Sequence, residues 1–207
     1  MTASTDHAPQ TQGRPEVPQE DILRADLYRL MAGLLSAPPA REMLDAVADL
    51  RGDDTPLGQA ISTLAHLASR SEPATVSAEF QELFIGVGRG ELVPYGSYYL
   101  TGFLHEKPLA KLRSEMARLG IEREEGVSEP EDHIASVLEI MAGLIDGSLS
   151  LAPALDEQQA FYEQHVGAWA PHFFADLEGA RNSLVYAAVG EVGRRFLEIE
   201  EAAFRMG

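Results

Sequence analysis

The 207-residue chain has no cysteine. A disulfide framework, a thiolate metal site and a cysteine nucleophile are therefore excluded. Cations are scarce: 16 Lys and Arg face 33 Asp and Glu, a formal net charge of −17. Such a surface repels nucleic acid and anionic membranes and attracts basic partners. No apolar run approaches the roughly 18 residues of a membrane span, so none is expected. The opening stretch, MTASTDHAPQTQGRPEVPQE, lacks the apolar core of a secretory signal. Its prolines 9, 15 and 18, with Thr and Gln between them, read as a disordered tail over residues 1–19. Sustained period-two alternation and fixed-period repeats are also missing, which argues against a sheet or a solenoid. Together these absences point to a soluble, acidic, cytoplasmic protein.

What is present is helical periodicity, with enough apolar residues (45%) to bury a sizeable core. Leu23, Leu27, Leu30, Met31 and Leu34 recur on one helical face, and Pro38 and Pro39 stop the pattern. Further helices fit residues 40–51, 57–70, 74–85, 108–119, 134–145, 153–169 and 178–205. In the last of these Leu184, Val185, Val192, Phe196 and Ile199 are expected to face inward. The expectation is a single all-α domain over residues 20–207, a bundle of about eight or more helices.

Two stretches depart from this pattern. Residues 86–102, GVGRGELVPYGSYYLTG, hold five glycines, a proline and three tyrosines, and read as a long loop. The tyrosine rings either cover the core or line a groove for an apolar peptide, with their hydroxyls and Ser97 bonding its backbone. Residues 128–133, SEPEDH, precede the apolar run IASVLEIM. As a helix start, Ser128 and Glu131 form a capping box, or Glu129 caps with Pro130 at the first helical position. Helical geometry then turns Asp132 away from the core, with His133 on the flank beside Glu129. The carboxylate raises the histidine pKa and the helix terminus lowers it. A cap and a contact site both remain open.

Catalytic readings lack their signatures. Ser97, Asp132 and His133 are triad residue types without a G-x-S-x-G elbow. Glu129, Asp132 and His133 lack H-E-x-x-H spacing for a metal, and GVGRG lacks both the G-K-[ST] ending and a preceding strand. His105, His165 and His172 read as surface or core-edge residues. No catalytic residue, metal or cofactor is expected.

Four segments, in order, resemble the TorD/DmsD family of redox-enzyme maturation chaperones, with the NarJ group as more distant relatives. Glu129-Pro130-Glu131-Asp132-His133 matches the family's E-P-x-D-H hallmark. Pro94-Tyr95-Gly96-Ser97-Tyr98-Tyr99 matches its P-[YW]-x-S-x-[YW] segment. AEFQELFIGVG and EQHVGAWAPHFFADL resemble its E-[FY]-x-x-L-F-x-G and H-x-x-x-W-x-P-x-F stretches, and order and spacing agree over about residues 20–205. The resemblance implies a cytoplasmic, non-enzymatic chaperone assisting assembly of a molybdenum-cofactor oxidoreductase. It would bind the twin-arginine signal peptide of the apoenzyme until the cofactor is inserted. It nominates Tyr95, Ser97, Tyr99, Glu129, Asp132 and His133 as peptide-binding residues, with Pro130 structural, and allows a homodimer. The alternatives are a NarJ-like chaperone acting on the mature part of a cytoplasmic subunit, a small enzyme using Asp132 and His133, and a purely structural helical subunit. Nothing in the residues selects the client.

Overall fold

Prolines in first turns, where a missing N–H costs nothing, mark where several helices begin. The structure is a computed structural model that describes residues 17–123, 126, 129–149, 154–181 and 183–206. Ten α-helices lie among them: α1 (Gln19–Ser36), α2 (Arg41–Ala48), α3 (Pro56–Arg70), α4 (Pro73–Phe80), α5 (Gly96–Thr101), α6 (Lys107–Arg118), α7 (Ile134–Asp146), α8 (Leu155–Phe161), α9 (Ala170–Glu178) and α10 (Val185–Met206). Prolines 56, 73, 108 and 171 sit in the first turns of α3, α4, α6 and α9. α4 and α8 each run on into a π turn, Gln81–Ile85 and Tyr162–Val166. No strand occurs among the described residues, and the expected single all-α domain is what forms.

The core is built around α7. Ile134, Val137, Leu138, Met141 and Leu144 are at most 1% exposed, and the helix is apolar on nearly every side, as a central helix must be. α1 packs on α7, while α10 packs on α9 and α3. The α9–α10 approach is close: a Cβ on Gly190 would lie 2.4 Å from the backbone nitrogen of Glu178. α1 and α10 run antiparallel. The Tyr186 hydroxyl donates to the Leu34 carbonyl at 3.0 Å, and the Tyr28 and Phe196 rings meet edge-on at 4.7 Å. Near the other end Glu200, 1% exposed, accepts two hydrogen bonds from Arg24, at 2.8 and 2.9 Å, and one from the Tyr28 hydroxyl at 3.1 Å.

Several boundaries differ from the sequence reading. The long loop contains a short helix, α5. The final helix starts at Val185 rather than 178, because the chain first ends α9 at Gly179. Its start is then fixed by a distant carboxylate: Glu79 accepts the N–H groups of Leu184, Val185 and Tyr186 at 3.1 to 3.3 Å. Leu184 and Ile199, expected to face inward, are exposed, and so is Leu23 of α1. The tail over residues 1–19 falls mostly outside the described residues, as does Ser128 of the expected capping box.

Candidate functional site

The E-P-x-D-H segment does not start its helix as the local pattern suggests. α7 begins at Ile134, and the N-cap is His133, whose Nδ1 accepts the Ala135 N–H at 3.2 Å. The residues before it turn aside to pair with the tyrosine-rich segment. Tyr95 and His133 form an isolated antiparallel bridge. The Gly96 N–H donates to the Asp132 carbonyl at 2.9 Å, and the Ile134 N–H to the Pro94 carbonyl at 2.8 Å. This pairing brings two of the sequence motifs, some 35 residues apart in the chain, into direct contact.

Asp132 does not face away from the core. It is 3% exposed, and its Oδ2 accepts the Ser97 N–H at 2.7 Å in the first turn of α5. It therefore caps a helix other than the one it precedes, since first-turn N–H groups have no intrahelical acceptor. Ser97 is fully buried, so its hydroxyl lies beneath the surface. Gly96 packs closely in the same place: a Cβ there would sit 3.0 Å from the indole nitrogen of Trp169. That nitrogen donates to the His165 carbonyl at 2.7 Å. A cavity of about 90 Å³ beneath α5 is lined by Gly96, Lys111, Asp132, Gln164, His165 and Trp169. Asp132 Oδ1 and His165 Nε2 are buried without a hydrogen-bond partner among the described residues.

The acids of the motif divide their work. Glu131 is held by Arg113, at 2.8 and 3.0 Å, with Arg123 at 3.6 Å. Burial works against its charge, but the Arg113 hydrogen bonds and both cations outweigh it and keep its pKa below the ordinary range. Glu129 is exposed and accepts the Tyr95 hydroxyl. Burial, then the Glu129 contact, pushes the tyrosine pKa up. For His133 the largest influence is burial, which the sequence reading did not weigh and which lowers its pKa against the opposing charges of Glu129 and Asp132. A neutral ring fits the Nδ1 lone pair used in the cap. The Tyr95 ring stands edge-on to the imidazole at 5.2 Å.

Tyr99 lies one turn along α5 and faces a different neighbour. Its hydroxyl donates to Asp176 at 3.0 Å, and its ring centroid is 5.6 Å from Trp169 and 6.0 Å from Phe173. The structure thus joins Tyr95, Glu129, Asp132 and His133 in one cluster. Ser97 lies below that cluster and Tyr99 beside it, against α9. Leu100, Phe103 and Leu104, at and after the end of α5, are exposed apolar residues the sequence reading did not nominate. Their only sequence signal is that they directly follow the tyrosines. Among the described residues no group of three His, Asp or Glu could hold a metal ion, and no helix is long and apolar enough to cross a membrane.

The fold defines an all-helical class shared with a solved chain from Archaeoglobus fulgidus provisionally assigned as a redox enzyme maturation protein. The TM-score is 0.56 at 21% identity, covering 85% of this chain and 94% of that one. The family model described as nitrate reductase delta subunit matches residues 50–175, well over half the chain, and the protein belongs to this family. Among curated relatives, the chaperone protein TorD of Vibrio cholerae (El Tor Inaba N16961) is 31% identical over 141 residues, 64% of each chain. The TorD of Vibrio atlanticus is 26% identical over 198 residues, covering 86% of this chain and 92% of that one. The resemblance carried by the four sequence segments is thereby confirmed at the level of the family.

Proposed function

We propose that this protein is a cytoplasmic, non-enzymatic chaperone that holds the precursor of a molybdenum-cofactor oxidoreductase by its twin-arginine signal peptide. The observation that carries the reading is the Tyr95–Glu129 contact across the Tyr95–His133 bridge. It makes one surface from the two motifs, and it leaves Glu129 as the motif acid facing solvent while Asp132 and Glu131 are engaged by Ser97 and Arg113. A carboxylate at such a surface binds a guanidinium with charge-assisted hydrogen bonds. The exposed Leu100, Phe103 and Leu104 offer the apolar half of a leader a place to lie. The excess of acidic over basic residues steers a dibasic segment toward the protein. His133 and Asp132 act here as the frame that fixes Tyr95 and α5, with Ser97 beneath and Tyr99 flanking.

The test is calorimetry of candidate twin-arginine leader peptides against the wild type, Glu129→Gln and Tyr95→Phe. Loss of about tenfold in affinity for Glu129→Gln, about 1.4 kcal/mol, is expected. Undiminished binding in both variants removes the site. The family model, described by the name of a nitrate reductase subunit, supports a second reading in which the mature part of a cytoplasmic subunit is bound. A client lacking its leader that still binds favours that reading.

A further inference from the structure

The cavity beneath α5 gathers polar side chains from three parts of the chain: Lys111 on α6, Asp132 just before α7, and Gln164 and His165 in the π turn after α8. Leu112 and Trp169 supply apolar wall. Two of the polar residues are deeply buried, Asp132 at 3% and His165 at 6% exposed. Asp132 Oδ2 is engaged by the Ser97 N–H. Its Oδ1 has no hydrogen-bond partner among the described residues, and neither has His165 Nε2. The Ser97 hydroxyl, one residue along from the Gly96 wall, is in the same position. Native proteins leave few buried polar atoms unpaired, so two at one cavity and a third beside it call for a common partner.

Volume and charge decide what that partner is. A water needs roughly 10–15 Å³ for its centre and a few polar neighbours. The cavity, at about 90 Å³, has room for several waters and offers them Asp132, Lys111, Gln164 and His165. An apolar group would leave both buried atoms unpaired. An anion is repelled by the Asp132 carboxylate. A bound cation is not required to balance that carboxylate, since Lys111 lines the cavity and Arg113 interacts with Asp132 electrostatically. Lys111 is itself exposed, so its ammonium stays hydrated outside.

We propose that ordered water fills this cavity and links Asp132 Oδ1 to His165 Nε2, which makes His165 a positioning residue for α5. The water donates to the carboxylate, which can only accept. It accepts from Nε2–H, the tautomer that turns an N–H toward the negative charge. The link runs from the π turn through Asp132 to the Ser97 N–H and holds the tyrosine helix from below. The imidazole is fixed in place by Phe161, whose ring centroid is 5.0 Å away, and the His165 backbone by the Trp169 indole, which donates to its carbonyl at 2.7 Å. The inference stands whether or not the Tyr95–Glu129 surface binds a leader.

A high-resolution crystal structure of the full-length wild type should show water hydrogen-bonded to Asp132 Oδ1 and to His165 Nε2, directly or through one further water. Nitrogen NMR at neutral pH should give the Nε2–H tautomer for His165. Amide exchange reads the link itself. His165→Leu removes the donor with little change of volume and should speed exchange of the Ser97 amide about tenfold. His165→Gln, whose amide still donates to water, should restore most of the protection. A dry cavity, an ion or the Lys111 ammonium in place of the water, or the Nδ1–H tautomer each overturns the proposal. So does Ser97 protection that is unchanged in His165→Leu, or lost equally in His165→Gln. If His165→Leu fails to fold, the wild-type crystal structure and NMR spectrum decide.

Discussion

Asp132→Ala should destabilise the protein rather than merely weaken a contact. Its Oδ2 lies 2.7 Å from the Ser97 N–H in a site where both residues are at most 3% exposed. A hydrogen bond to a carboxylate contributes about 1.5–3 kcal/mol, and a buried donor left without an acceptor costs about 1–3 kcal/mol. These describe one interaction from two sides and are not summed. Against them, Oδ1 is buried without a hydrogen-bond partner among the described residues, so deleting the carboxylate also removes an unfavourable burial. The net expectation is a loss of about 2 kcal/mol. For a domain of this size that lowers the melting temperature by about 4–8 °C. Thermal and urea unfolding followed by circular dichroism measure it. Asp132→Asn, which keeps an acceptor oxygen, should recover about half the loss. A melting temperature for Asp132→Ala within 1 °C of wild type, on the order of the resolution of such a scan, refutes the cap. One consequence concerns binding experiments: loss of peptide affinity in an Asp132 variant reports a loosened α5, so Glu129 and Tyr95 are the positions that test contact.

The remaining predictions concern titration and packing. Burial holds the His165 pKa down at about 4, opposed by Glu115 and reinforced by Lys111. Between pH 6.5 and 4 the unfolded chain takes up the proton and the folded chain does not. Stability is therefore fully present above 6.5 and falls with pH by up to about 1.4 kcal/mol per unit, at most about 3 kcal/mol in all. His133 shifts in the same direction and adds to the slope. His165→Gln should flatten the urea-unfolding midpoint between pH 6.5 and 4.5, and an unchanged profile contradicts the assignment. Gly190→Ala should cost about 2–3 kcal/mol, because its Cβ meets the backbone of α9 and no rotamer relieves that; a neutral substitution in the same assay would contradict the close packing of α9 on α10.

The all-helical architecture was legible because each helix buries one face and the 3.6-residue period records it. α7 is the exception, legible as an apolar run rather than a stripe because the central helix is buried on nearly every side. The boundaries that escaped were set by residues distant in the chain. Glu79 fixes the start of α10 and Asp132 fixes the start of α5. Neither contact leaves a periodic trace, since a long-range cap lies dozens of residues from the helix it serves. A local reading of SEPEDH found the nearest helix and assigned the acids to it. In the structure the cap is His133, and Asp132 serves the tyrosine helix instead. Leu23 and Ile199 fit a core pattern on their own helices, yet both are exposed, because the period marks an apolar face without saying whether another element covers it. The candidate site was legible in its members Tyr95, Glu129 and His133. Two facts were legible only in three dimensions: Ser97 is buried, and Tyr99 faces Asp176 and Trp169.

The most direct test of the account is the affinity of a client's twin-arginine leader for Glu129→Gln, measured by calorimetry at low and physiological salt beside the wild type and beside a leader with both arginines replaced by lysine. The account gives about a tenfold loss for Glu129→Gln, a comparable loss for the lysine leader, and little further loss when the two are combined, because each removes the same contact. Equal affinity in all four pairings, or fully additive losses, would place the dibasic head elsewhere and contradict the assignment of Glu129 and Tyr95 as its receptor.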